Sequence, residues 1–226
     1  MDVEIQTDAA RLVRRLRQAG LRITVAESCT GGLLASTLTD IAGASDWFDQ
    51  SWVTYANDAK TRVLGVSPDT LERKGAVSAE VAIQMASGAL ARSTADIALS
   101  VTGIAGPGNV SDKKLGLVYV GAASGDWKTA KRTIIGGTRA ENKLGFVHFA
   151  IRVAIENMDA AVKRKEVRAA EDEKQREAIE AEREARQINR AAKEAVTRLD
   201  TAWQETAWSP GNEPNPDEDL GDDVEW

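Results

Sequence analysis

A serine on a tight strand-to-helix turn can serve as a nucleophile, and this chain places one at Ser28. The run Ala26-Glu27-Ser28-Cys29-Thr30-Gly31-Gly32 follows the apolar stretch 21–25 and precedes the apolar stretch 33–38. The first stretch reads as a strand and the second as a helix. Such a turn exposes a hydroxyl and aims the free N–H groups of the helix start, around Thr30, Gly31 and Gly32, at a developing negative charge. The same residues also suit a plain turn, with Ser28 or Thr30 capping the helix and the glycines making the bend. A serine nucleophile needs a base. The sole histidine, His148, sits in a helical stretch between Val147 and Phe149 and reads as structural. Lysine is the alternative base when burial or a nearby cation keeps it neutral. Lys60 is the candidate, in the run Val53-Thr54-Tyr55-Ala56-Asn57-Asp58-Ala59-Lys60 beyond a strand end. Tyr55 in that run could relay a proton or hold the lysine by a hydrogen bond. Spacing alone favours a solvated helix lysine at position 60. Cys29 is a rival nucleophile, since a thiolate is intrinsically more reactive. Against it, neighbouring residues on one turn point in different directions.

A third run, Val101-Thr102-Gly103-Ile104-Ala105-Gly106-Pro107-Gly108, also lies at a strand end, where α/β folds carry ligand sites. Its glycines run G-x-x-G-x-G, and a strand rather than a helix follows. A dinucleotide fingerprint is therefore rejected. It reads as a rigid loop lining a pocket, or as an ordinary tight turn.

These segments need a framework. Asp8 reads as the cap of a helix over 9–18 that ends at Gly20. Strand 21–25 and helix 31–40 follow, then strand 52–55 and helices 57–64 and 68–73. Ser67 is placed to cap the second of these. Ser78 caps an Ala-rich helix running to about 93. Strands are expected at 96–102, 115–122 and 128–135, and a closing helix at 140–158. Alternating strands and helices, followed by several strands together, predict a three-layer α/β/α domain with a mixed sheet.

Composition bounds the rest. The chain has 226 residues, and its 42% hydrophobic content suffices for a sizeable core in one domain plus an appendage. A net charge of −6 gives no basic footprint for nucleic acid. One cysteine excludes an internal disulfide and fits a reducing compartment. One cysteine with one histidine supplies no usual structural zinc site. No apolar stretch is long enough to span a bilayer, and residues 1–8 are too polar for a secretory signal. A cytoplasmic protein without metal or cofactor is expected. The composition changes near Met158, so three parts are expected: a domain over 1–158, a charged helical extension over 159–202 and an acidic tail over 203–226. Along the extension, Ala181, Ala185, Ile188, Ala192, Ala195 and Leu199 form a thin seam with 3-4 spacing, which suits either a weak coiled coil or a solvated helix. The tail is too acidic to bury a core and is expected to be disordered. Its Trp203, Trp208 and Trp226 suit a short motif for an unidentified partner.

Residues from about 8 to 158 resemble the C-terminal domain of the competence/damage-inducible protein CinA, a family that includes nicotinamide-nucleotide amidases. The matching stretches are A-E-S-C-T-G-G at 26–32, V-T-Y-A-N-D-A-K at 53–60, L-G-V at 64–66, G-A-V-S at 75–78, V-T-G-I-A-G-P-G at 101–108, G-L-V-Y-V at 116–120 and G-T-R at 137–139. They occur in family order with family-like spacing. The resemblance implies a three-layer α/β/α fold with a mixed five-stranded sheet. It implies hydrolysis of the carboxamide of nicotinamide mononucleotide to nicotinate mononucleotide and ammonia, without a metal, by a homodimer. Ser28 matches the family's serine, and Tyr55, Lys60 and Thr102 match its pocket residues. Thr102 and the loop bearing Gly103 and Gly106 are expected to line the nucleotide pocket, with Arg139 as a phosphate partner. A catalytically silent binding or assembly module acting through the extension is the alternative. The chain departs from the family pattern in a short 109–114 loop, in Gly145 within the closing helix, and in everything after about 159.

Overall fold

The computed structural model describes residues 2–107 and 113–205, with side chains described as far as Leu199. Gly108, the acidic stretch 209–226 and the tail tryptophans expected to contact a partner lie outside these described residues or side chains. Helix α1, Val3–Ala19, starts earlier than its sequence signals suggest. Asp2, not Asp8, is the N-cap, accepting the Glu4 N–H, and Gly20 closes the other end. The apolar stripe Ile5, Ala9, Leu12, Val13, Leu16 explains the early start, because Ile5 belongs to the buried face. Asp8 instead meets His148 Nε2 at 2.9 Å, so the histidine ties its own helix to α1.

The remaining elements are β1 (Ile23–Glu27), α2 (Leu33–Thr39), β2 (Phe48–Val53), α3 (Asn57–Leu64), α4 (Pro68–Lys74), α5 (Ala79–Leu90), β3 (Ile97–Gly103), β4 (Leu117–Ser124), β5 (Lys128–Ile134) and α6 (Arg139–Glu205). Ser67 and Ser78 cap α4 and α5 as their spacing predicts. The five strands form one sheet in the order β2-β1-β3-β4-β5. β1 pairs in parallel with β2 and β3, while β4 runs antiparallel to β3 and β5. The mixed sheet and its two helical layers are those expected.

The two faces of the sheet differ in residue size. Strand residues alternate between faces. Ile23, Val25, Leu99, Val101, Val118 and Val120 turn to one face and pack with α1, α2 and α6 through Leu12, Leu38, Phe146 and Ile151. Ala26, Ala98 and Ala123 turn to the other and pack with α5 through Val81, Met85 and Ala89. Small residues let α5 approach closely. Ser100 Oγ donates to the Ala82 carbonyl at 2.6 Å, and a Cβ at Gly121 would overlap that same carbonyl.

Helix α6 is a single element of 67 residues, where a closing helix followed by a separate charged helix was expected. It passes through Gly145, where Ile135 packs against the backbone. The chain divides into two units, Met1–Arg164 and Lys165–Trp226. In the second, every described side chain from 165 to 199 is exposed. Among the described residues, no helix is long and apolar enough to cross a membrane.

Candidate active site

Three strand ends meet at one edge of the sheet. Ser28 follows β1 directly, and its N–H donates to the Val101 carbonyl of β3 at 3.0 Å. On the other side, the Thr54 N–H just past β2 donates to the Glu27 carbonyl at 2.8 Å. Parallel pairing therefore brings Ser28, Thr54 and Thr102 to one place.

Lys60 enters this place from α3. It is 1% exposed, which overturns the solvated reading that spacing favours. Its Nζ lies 3.1 Å from Ser28 Oγ, 2.9 Å from the Thr54 carbonyl and 2.9 Å from the Tyr55 carbonyl. Burial pulls its pKa down from 10.5 to about 8, against an opposing charge effect from Cys29. A neutral lysine keeps two N–H bonds and gains one lone pair. The two carbonyls take the two N–H groups, which leaves the lone pair for the Ser28 hydroxyl.

Cys29 is next in the chain, but its thiol is in a different state. Its thiol is buried, and burial pushes its pKa up to about 12. A protonated thiol is a poor nucleophile. Tyr55 holds the lysine as anticipated, but through its backbone carbonyl rather than its hydroxyl. Its ring is 59% exposed at the mouth of the cleft.

The turn after Ser28 differs from expectation in which N–H groups it leaves free. Gly31 and Gly32 adopt positive φ values of 64° and 97°, which glycine tolerates without strain. The Gly31 N–H donates back to the Ser28 carbonyl at 3.1 Å. The Gly32 N–H donates to Glu27 Oε2 at 2.9 Å, and the Glu27 carboxylate also accepts from Leu34 at 3.1 Å and Ala35 at 2.8 Å. The start of α2 is therefore already filled by a buried carboxylate. The Cys29 and Thr30 N–H groups reach no oxygen acceptor among the described residues. Thr30, Gly31 and Gly32 do not line the cleft.

The cleft itself has a volume of about 600 Å3. Ser28 and Lys60 lie in it together with Tyr55, Thr102, Gly103, Gly106 and Arg139. Thr102 Oγ1 donates to the Ala76 carbonyl at 2.8 Å and fastens the 75–77 wall to β3. The Arg139 guanidinium lies over Gly106 and donates to the Pro107 carbonyl at 3.4 Å. Asn142, fully buried, donates to the carbonyls of Ala105 at 2.8 Å and Gly137 at 3.1 Å, which joins the 103–107 loop to the start of α6. Arg73, paired with Asp69, Lys74, paired with Glu80, and Lys113 also line the wall. Among the described residues, no group of His, Cys, Asp or Glu is arranged to hold a metal ion.

Sequence reasoning missed Glu27, Asn142 and the three wall cations. Glu27 had a signal: an acid at a buried strand end, separated from a helix start only by a short glycine-containing turn, can reach the free N–H groups of that helix. Asn142 had none, because its partners are carbonyls 37 and 5 residues away.

The CinA C-terminal domain family model matches residues 5–158. A CinA-like protein of Chlorobium phaeobacteroides is 51% identical over 156 residues, covering 66% of this chain and 36% of that protein. A nicotinamide-nucleotide amidohydrolase PncC of Enterobacter agglomerans is 48% identical over 143 residues, covering 62% of this chain and 87% of that protein. The crystal structure of the competence/damage inducible protein CihA from Agrobacterium tumefaciens superimposes with a TM-score of 0.67 at 43% identity. That match covers 69% of this chain and 96% of the other. The chain spans about a third of the length of several curated relatives that it matches. With the family model covering most of the chain and the fold shared, this protein belongs to the CinA C-terminal domain family.

Proposed function

We propose that this protein hydrolyses the carboxamide of nicotinamide mononucleotide to nicotinate mononucleotide and ammonia. The observation that carries the reading is the buried Lys60 Nζ, 3.1 Å from Ser28 Oγ. Two carbonyls hold that lysine so that its neutral form faces the hydroxyl. Ser28 attacks the amide carbon while its proton passes to Lys60. The resulting ammonium returns that proton to the amide nitrogen, which leaves as ammonia. Water, deprotonated by Lys60, then attacks the acyl-serine; the lysine ammonium returns that proton to the departing Ser28 Oγ, and the released acid ionises to the carboxylate. The N–H group of Cys29, which lines the cleft beside Ser28, is the donor for the oxyanion. Thr102, Gly103 and Gly106 shape the nucleotide pocket, and Arg139 pairs with the phosphate. The cations along the wall favour an anionic substrate. The name of the Enterobacter relative supports the choice of substrate.

The catalytic domain is placed at 1–158, with 159–202 as an extension and 203–226 as a tail. The protein is placed in the cytoplasm as a homodimer, with the Ala181–Leu199 seam as an added contact. The reading is tested by ammonia release from nicotinamide mononucleotide. Turnover by the wild type, with none by Ser28→Ala, is the expected result. Equal turnover by both would reject it.

A further inference from the structure

We infer that Glu27 is the positioning residue that sets the Ser28 hydroxyl against Lys60. This inference rests on Ser28 acting as the nucleophile. Glu27 is the last residue of β1 and is fully buried. Its carboxylate has three donors, all from the first turn of α2. Oε2 accepts from Gly32 and Leu34, and Oε1 accepts from Ala35. Ser28 and its turn are therefore strapped between the strand and the helix start. The main chain of Glu27 reaches the other half of the dyad. Its carbonyl accepts the Thr54 N–H at 2.8 Å, and the Thr54 carbonyl accepts Lys60 Nζ at 2.9 Å. One residue thus references both partners, the nucleophile through its side chain and the base through its backbone.

The same carboxylate determines where negative charge can be received. With Gly32, Leu34 and Ala35 already donating to it, the start of α2 is closed to a substrate oxyanion. The donor left at the cleft is that of Cys29, one residue after the nucleophile.

Two substitutions in the full chain separate positioning from simple helix capping. Glu27→Gln keeps the shape, but its amide nitrogen brings donors to a place where donors already point. Glu27→Asp keeps the charge and shortens the reach by one methylene. Each variant is measured in three ways: thermal unfolding, kcat and KM for nicotinamide mononucleotide, and the rate at which diisopropyl fluorophosphate labels Ser28. The labelling rate is followed against pH and needs no knowledge of the substrate. The expected result is folded protein with KM within about threefold of wild type and kcat lower by roughly 10²-fold, the usual effect of a small misplacement of reacting groups. Labelling should slow in parallel, and its pH midpoint should leave the wild-type value. A capping residue without a positioning role would lower the melting temperature and leave kcat, labelling and the pH midpoint unchanged. That outcome overturns the inference, as does failure of both variants to fold, which would make Glu27 a folding residue only. If wild-type protein neither releases ammonia nor labels at Ser28, the amidase reading itself fails, independently of Glu27.

Discussion

The compact first unit and the long extension use charge in opposite ways. In the first, Lys60 is enclosed by three oxygens and has no solvent to fall back on. In the second, every described side chain from 165 to 199 faces solvent, and charged groups meet partners one helical turn away. Arg186 pairs with Glu182 at 2.6 Å, and Arg190 with Glu194 at 2.9 Å. Burial pulls one lysine toward its neutral form, while exposure leaves many charged residues as weak local supports for a helix. A residue's type therefore says little about its consequence here until its surroundings are known.

That contrast can be broken most forcefully at the dyad. Ser28→Ala should lower amide hydrolysis by about 10³-fold or more, since the residual rate would come from binding alone. It should unfold at nearly the wild-type denaturant concentration, because only one hydrogen bond to Lys60 is lost, worth about 1 kcal/mol. Lys60→Arg should be comparably damaging, because guanidinium stays charged at working pH. An active Lys60→Arg enzyme would remove the lysine from its role.

The pH dependence sharpens the comparison. The Lys60 pKa is held near 8, below its usual 10.5, so kcat/KM should rise with pH up to about 8 and then level off. Stability should follow the same group. Between about 8 and 10.5 the unfolded chain binds more protons at this lysine than the folded one, so folding stability contributed by Lys60 rises with pH across that window. Urea melts at pH 7.5 and 10 in the wild type, repeated with Lys60→Met, would isolate the contribution. Loss of the pH dependence in the variant is the expected result.

A smaller effect is expected from packing. Gly121→Ala puts a methyl group into the Ala82 carbonyl and should destabilise the fold by roughly 1–3 kcal/mol, measured by urea denaturation. The smallest effects belong to the extension. Glu182→Ala should leave the melting temperature unchanged within error. Truncation after Arg164 should keep kcat and KM per folded domain at wild-type values. Loss of activity on that truncation, with the core still folded, would show that the two regions are functionally joined.

Much of this was legible from residue types and order. The turn at 26–32, the strand alternation and the serine caps of α4 and α5 all follow from local rules. Lys60 became a candidate because no histidine suited the task, but its burial depends on α3 turning inward past Thr54. Strand β2 was expected at 52–55 but runs over Phe48–Val53, so it ends before Thr54 and begins earlier, through the polar Asp49, Gln50 and Ser51. They are tolerated there because β2 is an edge strand with one partner. The free N–H groups of the turn were misassigned for a physical reason. The donors at Gly31 and Gly32 look open in sequence, and only the fold shows the Ser28 carbonyl and the Glu27 carboxylate occupying them.

The Lys60 side chain closes the 54–60 segment on itself, since two of its three partners are carbonyls only six and five residues back. The lysine is thereby ordered when the protein folds, and little conformational freedom remains for a ligand to remove. The Thr54 and Lys60 amides, which donate to the Glu27 and Ala56 carbonyls, should exchange slowly in the free protein and change little on substrate binding. The activation entropy of the chemical step should be correspondingly small, so that turnover varies with temperature almost wholly through its enthalpy.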